Sequence, residues 1–194
     1  SDADQIVPGV GTSVLLGDDP ADAAVRAGDD RFIFQEDGGE NSVLIRGGEG
    51  HDTLDFSSFS SAITVDLSNV GAEQLVSVGE LRLLIQDDDF ESVIGGSNGD
   101  TLAGNDAGNE FTGGGGNDFI NGSGGIDWVI EEADEDFVLT DGSLQGGAEI
   151  DVMVSIERSR LTGGESANTL DASAFTGRTE LTGLGDDDVL IGGS

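Results

Sequence analysis

The stretch that decides the fold is residues 95–130, which read GGSNGDTLA, GNDAGNEFT, GGGGNDFIN and GSGGIDWVI when they are cut into units of nine. The sixth residue of each unit is an aspartate or an asparagine: Asp100, Asn109, Asp118 and Asp127. The eighth residue is large and apolar: Leu102, Phe111, Ile120 and Val129. A fixed period that keeps two residue types in phase is typical of a repeat architecture. We therefore predict that each unit forms a turn followed by a short strand, whose eighth position points inward.

The same phase extends beyond this stretch on both sides. EEADEDFVL at residues 131–139 places Asp136 at the sixth position and Val138 at the eighth, and one unit before residue 95 Glu91 and Val93 are in phase. We therefore predict a main repeat block at residues 86–139.

The seventh position of each unit points outward in this frame. Phe119 and Phe137 occupy it 18 residues apart, so we expect them side by side on one exterior face. Trp128 should lie on the opposite face. Exposed aromatic side chains of this kind mark either a partner surface or a flank that a spacer segment covers.

Three further copies of the template lie outside the main block. GGEGHDTLD at residues 47–55 places Asp52 in phase, GGESANTLD at residues 163–171 places Asn168, and GLGDDDVLI at residues 183–191 places Asp188. We predict a first repeat block at 23–55 and a C-terminal block at 163–194 whose array is open at its end.

Two segments leave the repeat, and no stretch carries a helix pattern. Residues 56–85 and 140–162 alternate apolar and polar residues, which predicts spacer strands. The apolar run IVPGVGTSVLL within residues 1–22 predicts an N-terminal cap or linker strand. The predicted fold class is therefore all-β.

Composition limits the partners. The chain has 33 glycines, no cysteine and a formal net charge of −33, which repels a compact state unless cations neutralise it. Nucleic acid is excluded as a partner by the same charge. No run of about 20 apolar residues exists to insert in a membrane. A hydrophobic content of 36% nevertheless favours an ordered fold over disorder.

The template GGxGxDxUx, with U a large aliphatic residue, resembles the repeats-in-toxin (RTX) family of hemolysin-type calcium-binding nonapeptides. GGEGHDTLD and GGGGNDFIN are its best copies, whereas GNDAGNEFT and GGESANTLD are degenerate. The resemblance implies a parallel β-roll or β-solenoid with irregular spacer strands, held together by several Ca²⁺ ions. In that family two nonapeptides make one coil. Asp100, Asp118 and Asp136 would then share one edge, and Glu91, Asn109 and Asp127 the other.

The turn chemistry suits calcium. Glycine allows the backbone to aim carbonyl oxygens inward, and carbonyls with a carboxylate are the hard oxygen ligands that Ca²⁺ prefers. The predicted metal ligands are Gly48, Gly50, Asp52, Gly96, Asn98, Asp100, Asn105, Ala107, Asn109, Gly114, Gly116, Asp118, Ser123, Gly125, Asp127, Asp136, Gly164, Ser166, Asn168, Gly185 and Asp188. Turns 104–109 and 163–168 should bind more weakly. The alternative is that the acids only form Asx-turns in a metal-free solenoid.

Three functions follow as hypotheses. The first is a calcium-dependent structural module of a secreted or cell-surface bacterial protein, of the adhesin, surface-layer or extracellular-matrix type, exported by type I secretion as the resemblance implies. The second is the C-terminal secretion and folding domain of an exported hydrolase or toxin. The third is a self-assembling filament or layer subunit, in which the stack continues into another copy or into a longer repeat array.

Enzyme signatures are weak. GGSNG at residues 95–99 matches the G-x-S-x-G pattern around Ser97, but that motif requires a strand before it, a helix after it and a histidine downstream. The one histidine, His51, lies upstream. No H-E-x-x-H sequence is present for a zinc protease. We therefore predict that the protein is not an enzyme.

Overall fold

The computed structural model describes residues 5–6, 12–16, 28–36, 41–77 and 81–193. Their regular structure consists of twenty β-strands, numbered β1 to β20 in chain order, in three sheets. The all-β prediction is confirmed. Within these ranges the chain forms no helix with the length and apolar character needed to cross a membrane.

The first sheet has eight strands, and every neighbouring pair in it is parallel. Its order is β1 (Gln5–Ile6), β3 (Arg31–Ile33), β5 (Asp52–Asp55), β9 (Phe90–Ile94), β11 (Glu110–Thr112), β13 (Trp128–Glu132), β17 (Arg158–Thr162) and β19 (Arg178–Thr182).

The second sheet also has eight strands and is parallel except around one strand, β15, which is antiparallel to both of its neighbours. Its order is β20 (Val189–Ile191), β18 (Thr169–Ala174), β14 (Phe137–Thr140), β15 (Ser143–Gly146), β16 (Glu149–Val154), β12 (Phe119–Asn121), β10 (Thr101–Ala103) and β6 (Thr64–Asp66).

The third sheet is smaller, and three of its four strands are parallel to one another. Its order is β2 (Thr12–Leu16), β4 (Asn41–Arg46), β8 (Leu81–Ile85) and the antiparallel β7 (Glu73–Ser77). The strand predicted within residues 1–22 is therefore present at β1 and β2, whereas residues 17–22 lie outside the described residues.

Successive repeats alternate between the first two sheets. β9, β11 and β13 lie side by side in the first sheet, and β10 and β12 in the second. The register places Phe111 beside Val93 and Val129, which are 18 residues before and after it. These eighth-position side chains are 0% exposed, as are Leu102 and Ile120. The predicted inward face is confirmed from residue 93 to residue 129.

Aromatic side chains fill the core around the strands β3, β5 and β9. The rings of Phe34 and Phe56 stack at 4.7 Å between centroids, and Phe59 meets Phe56 edge to face at 5.7 Å. Phe32 meets Phe90 in the same way at 5.4 Å. Offset and edge-to-face pairs of this kind are the favoured aromatic geometries, so this end of the molecule has a conventional apolar core.

The repeat phase breaks after residue 130, so the prediction that it continues to residue 139 is wrong. Phe137 and Leu139 are buried, whereas Val138 is 45% exposed, which is a shift of one residue. A shift of one residue turns every side chain of a strand to the other face. β13 runs on through Glu132, and β14 then forms an antiparallel hairpin with β15. Phe137 therefore does not lie on the exterior beside Phe119.

The spacer segments extend the two large sheets. β16 lies beside β12, with Met153 next to Ile120, and β17 lies beside β13. β6 lies beside β10 in the second sheet. Both spacers thus supply strands to the stack, while β7 and β8 form part of the third sheet.

Candidate metal centre in the stacked glycine turns

The turns share one internal contact, between the first glycine and the sixth residue of the same unit. A Cβ atom added to Gly113 would collide with the Asp118 carboxylate, and one added to Gly122 would collide with that of Asp127. The same contact occurs in the turns that begin at Gly47, Gly95, Gly104, Gly163 and Gly183. Glycine is needed at the first position because the acidic side chain folds back over it.

Positive φ angles occur at the positions expected to aim carbonyls. Gly114 has φ 87° and Gly116 has φ 108° in the best-matched turn. Ser123, at the second position of its turn, adopts φ 70°, a conformation that non-glycine residues rarely take. The backbone of residue 123 is therefore held by the turn rather than by its own preference.

Turns 18 residues apart are stacked. The N–H of Gly115 donates to the carbonyl of Gly96 at 2.9 Å, and that of Gly124 donates to the carbonyl of Asn105 at 3.1 Å. Turns 163–168 and 183–188 are joined in the same way, from Gly185 to Gly164 at 2.9 Å. The stacking predicted for turns 95–100 with 113–118, and for 104–109 with 122–127, is confirmed.

One edge of the stack is a ladder of buried carboxylates. Oδ1 of Asp100 accepts the N–H of Ile63 at 2.8 Å, and Oδ1 of Asp118 accepts the N–H of Asp100 at 2.7 Å. Oδ1 of Asp151 accepts the N–H of Asp118 at 2.9 Å. Each carboxylate therefore holds the backbone of the neighbouring coil.

The opposite edge repeats this pattern with more varied side chains. Oδ1 of Asp127 accepts the N–H of Asn109 at 2.7 Å, and Glu157 accepts that of Asp127 at 3.0 Å. Glu91 accepts the N–H of Asp52 at 2.8 Å and is placed beside Asn109 by the register of β9 and β11. Glu91, Asn109 and Asp127 therefore lie on one edge, as expected.

Asp136 is not on the ladder, and its predicted place there is wrong. Asp151 lies in the coil next to Asp118, because β16 rather than β14 pairs with β12. Asp136 is exposed, and its Oδ1 accepts the N–H of Thr169 at 2.7 Å. The nine-residue phase that placed Asp136 on this edge stops after residue 130, before the β14–β15 hairpin.

Sequence reasoning missed Asp151 although GGAEIDVMV at residues 146–154 has the spacing of the template, because the segment was interpreted as a spacer. It missed Glu157 and Asp30 because no pair of glycines precedes them. Asp151 and Met153 nevertheless keep the acid-x-apolar spacing of positions six and eight, as do Asp30 and Phe32. Asp30 immediately precedes β3 and donates its N–H to Oδ1 of Asp52 at 2.8 Å. The three-residue pattern alone could have located Asp151 and Asp30, but not Glu157, which is followed by Ser159 at the apolar position.

The remaining predicted ligands lie in their turns and contact neighbouring coils. The turn 47–52 packs on residues 28–30, with Gly28 donating to the carbonyl of Glu49 at 2.9 Å. Ser166 donates its N–H to Asp134 at 3.1 Å, whereas the N–H of Ala107 donates within its own turn to Oδ1 of Asn105 at 2.9 Å. Asn98 donates to the carbonyl of Ser60.

The second carboxylate oxygen of Asp118 and of Asp127 is the main electrostatic feature. In both residues Oδ2 is buried, and no group in the described part of the chain donates a hydrogen bond to it. An ionised carboxylate in such a place is costly unless it is paired. Burial is the largest cause that raises the pKa of Asp118 to about 7, and nearby Asp151 and Asp100 add to it. Burial and Glu157 raise the pKa of Asp127 to about 6.

Arginine does not neutralise these acids. In the described ranges Arg31 pairs with Asp55 at 2.7 Å, and Arg160 and Arg178 both pair with Glu180. Asp118 and Asp127 form no ion pair with a described arginine, and residues 111–157 contain no Arg, Lys or His at all. The charge of the ladders must be neutralised by protons or by cations from solution.

The donor set fits an oxygen-seeking cation. Across the ranges that the structure describes, three or more His, Cys, Asp or Glu side chains do not converge on one point that could hold a metal ion. Each stacked turn instead places one carboxylate or amide against its first glycine, where backbone carbonyls of the turn could add oxygen ligands. Such a set would suit Ca²⁺, which takes six to eight oxygen ligands in flexible geometry.

Comparison with the models of known protein families gave no match, and comparison with curated proteins gave none either.

Proposed function

We propose that this protein is a calcium-binding β-roll, a non-enzymatic module that folds around several Ca²⁺ ions within a secreted or cell-surface bacterial protein of the adhesin, surface-layer or matrix type. The observation that carries the proposal is the pair of buried aspartates, Asp118 and Asp127, each with one oxygen that accepts no hydrogen bond from the described residues. Both lie beside stacked glycine turns on opposite edges of the sheets.

The arrangement of strands supports the β-roll. Repeats alternate between two parallel sheets, and residues 18 apart are neighbours within each sheet. That is the geometry expected when two nonapeptides make one coil. The spacer strands β6, β16 and β17 join the same two sheets and so lengthen the stack.

Calcium is favoured over other metals by ligand type. Zinc sites use Cys, His and a few carboxylates, and this chain has no cysteine and one histidine. Mg²⁺ demands near-ideal octahedral geometry and keeps several waters. Carbonyl-rich turns with one acid each would suit the larger and more adaptable Ca²⁺.

Folding is coupled to the ion in this proposal. The ladders bring carboxylates about one strand spacing apart, roughly 4.8 Å, where like charges repel. Ca²⁺ would supply positive charge and oxygen coordination between them. The carboxylates of Asp100 and Asp118 hold neighbouring coils together by accepting hydrogen bonds from the backbone N–H groups of Ile63 and Asp100. The carbonyl groups of the glycine turns would add oxygen ligands for the ion. Binding energy then becomes folding energy.

The same coupling fits export. A chain of net charge −33 that lacks its cations would stay poorly folded where calcium is scarce, and would fold outside the cell where calcium is plentiful. This also supports the alternative in which the module is the secretion and folding domain of an exported hydrolase or toxin.

A non-enzymatic role agrees with the surroundings of Ser97. Its hydroxyl donates to the carbonyl of Phe59 at 3.2 Å, and its N–H donates to the same carbonyl at 2.9 Å. His51 instead lies 3.9 Å from Glu110, measured from Nε2 to Oε1. Ser97 is therefore part of a stacked turn and is not oriented by a histidine.

Stacking onto another copy of the chain is a second candidate function. Leu190 occupies the eighth position of its unit but is 46% exposed, unlike the buried eighth-position residues at 93–129. Among the described strands, β20 pairs with β18 alone. Light scattering with and without Ca²⁺ tests it, and a monomer under both conditions would reject self-assembly.

The proposed function is tested by far-ultraviolet circular dichroism during a Ca²⁺ titration. The β-sheet signal should appear as Ca²⁺ is added, disappear with EGTA, and respond much less to Mg²⁺ at the same concentration. A full and unchanged β-sheet spectrum after exhaustive chelation would refute it.

A further inference from the structure

The sequence contains two Asn-Gly pairs, and both lie in the stacked repeats. Asn98-Gly99 belongs to turn 95–100, and Asn121-Gly122 lies where β12 ends and the next turn begins. An asparagine before a glycine is prone to spontaneous deamidation, because glycine has no side chain to hinder attack of its backbone nitrogen on the asparagine side chain. The two pairs share this chemistry, so a difference in their reactivity must come from their surroundings.

The backbone nitrogen of Gly99 is available for the reaction. Residues 97–99 are exposed, and no described residue accepts a hydrogen bond from the N–H of Gly99. A Cβ atom added to Gly116, in the turn stacked on this one, would lie 2.5 Å from that nitrogen, so glycine at position 116 keeps a side chain away from it. The nitrogen can therefore attack the side chain of Asn98 without breaking a hydrogen bond.

The second pair is held in place. Gly122 is buried, and its N–H donates to the carbonyl of Val154 at 2.9 Å. A Cβ atom there would lie 2.4 Å from Oδ2 of Asp127, which leaves the peptide little room to move. Oδ1 of Asn121 accepts the N–H of Ser123 at 3.1 Å. Reaction at this pair requires the stack to open first, and such local opening costs free energy.

We propose that Asn98 is a site of spontaneous deamidation in the folded protein, whereas Asn121 is protected. The backbone nitrogen of Gly99 loses its proton and bonds to Cγ of Asn98, and the side-chain amide nitrogen takes up a proton and leaves as ammonia. Water then opens the resulting succinimide at either carbonyl, which gives aspartate or isoaspartate at position 98. No metal ion, enzyme or oxidant takes part, so the inference does not depend on the proposed function.

Deamidation would loosen the contact between turn 95–100 and the segment that precedes β6. Nδ2 of Asn98 donates to the carbonyl of Ser60, and the hydroxyl of Ser97 donates to the carbonyl of Phe59. A carboxylate at position 98 cannot donate a hydrogen bond, and its charge would repel the carbonyl oxygen of Ser60. Isoaspartate would also lengthen the backbone of a turn that is stacked on turn 113–118. The modification is therefore a one-way weakening of the stack at this turn.

Peptide mapping by mass spectrometry tests the site in the full chain. Wild-type protein is incubated at mildly alkaline pH, either folded in Ca²⁺ or unfolded in urea, and deamidation is followed at both asparagines. In the folded protein Asn98 should react at least about 10-fold faster than Asn121, which corresponds to about 1.4 kcal/mol of opening free energy at Gly122. In urea the two rates should converge, because the surroundings that separate them are lost.

Two results would overturn the proposal: equal rates at the two asparagines in the folded protein, or reaction at Asn98 only after unfolding. The same contrast in EGTA, with the β-sheet signal intact, would refute calcium-coupled folding and leave this site standing.

The consequence is tested by comparing Asn98→Asp with Asn121→Asp. Each change adds one negative charge, but an aspartate at position 121 can still accept the N–H of Ser123, whereas one at position 98 cannot donate to Ser60. Asn98→Asp should lower the melting temperature by about 2–4 °C, the shift that about 1 kcal/mol causes in a domain of this size. Asn121→Asp should melt close to the wild type. Equal melting temperatures of the two variants would overturn the loosening.

Discussion

The backbone N–H of Asp100 donates to Oδ1 of Asp118, 18 residues further along the chain, at 2.7 Å. This bond joins the acidic position of one turn to the backbone of the turn stacked on it. It occupies one carboxylate oxygen and leaves Oδ2 buried without a hydrogen bond from the described residues. The same residue can therefore fasten two coils and still offer an oxygen to a cation.

Removing that oxygen should weaken calcium-dependent folding. Asp118→Asn should raise the Ca²⁺ concentration at the folding midpoint by about 10-fold or more, because bonds to charged groups contribute about 1.5–3 kcal/mol and about 1.4 kcal/mol corresponds to a factor of ten. The midpoint is read by circular dichroism. Asp136→Asn is the control, since Asp136 is exposed and off the ladder. Equal effects of the two changes would contradict the placement.

The first glycine of each turn should be intolerant of a side chain. Gly113→Ala would place a methyl group against the Asp118 carboxylate, and overpacking of this kind costs about 1–3 kcal/mol. Thermal unfolding at saturating Ca²⁺ measures the loss. Gly142→Ala should have little effect, because a Cβ atom there meets nothing within 4 Å. A Gly113→Ala protein as stable as the wild type would show that the carboxylate can move aside freely.

Calcium binding should release protons near neutral pH. Burial, followed by Asp151, Asp118 and Glu135, raises the pKa of Glu131 to about 8, and the pKa of Asp118 is raised to about 7. Raised carboxylate pKa values mean that the protonated forms stabilise the metal-free fold. That stabilisation is full at low pH and is lost as the pH rises from the ordinary values toward 8.

Ca²⁺ must displace these protons, so its apparent affinity should fall as the pH is lowered from 8 to 6. Calorimetry at pH 7 in two buffers of different ionisation enthalpy counts the protons released. Asp118→Asn should release fewer of them than the wild type. Binding that is independent of both buffer and pH would contradict this prediction.

Trp128 should report on the outer face of the first sheet. The guanidinium groups of Arg158 and Arg160 lie 5.3 and 5.1 Å from the centre of its ring. Arg160→Ala should shift the tryptophan emission to longer wavelength and cost about 0.5–1 kcal/mol, as exposed cation–π contacts do. Arg82→Ala should leave the emission unchanged, because Arg82 lies in β8 of the third sheet and pairs with Glu73 at 3.6 Å. Identical spectra for both variants would rule out the contact.

The repeating part of the fold could be predicted from sequence because it depends on local rules. The nine-residue period fixed which side chains face inward from Val93 to Val129, and it fixed which turns stack. The hairpin could not be predicted in this way. Glu131 and Glu132 keep the strand extended beyond its repeat, and the pairing of β14 with β15 then shifts the phase by one residue.

The candidate site was predictable to the same extent. The aspartates of the glycine turns can be identified from the nine-residue spacing. Asp151 has this spacing after Gly146 and Gly147, but the coil in which it lies depends on the long-range pairing of β16 with β12, and the position of Glu157 depends on that of β17 with β13. Asp136 had the right spacing but lies next to β18. The nine-residue spacing therefore identifies the acidic residues of a ladder only where successive repeat units occupy successive coils of the stack.

The central claim is that Ca²⁺ ions lie between stacked glycine turns, and the most direct test is anomalous X-ray diffraction from crystals grown in calcium. The account predicts density peaks between turns 95–100 and 113–118, and between turns 104–109 and 122–127, each within coordination distance of Asp118 or Asp127. Well-ordered turns without metal density at saturating calcium would contradict it.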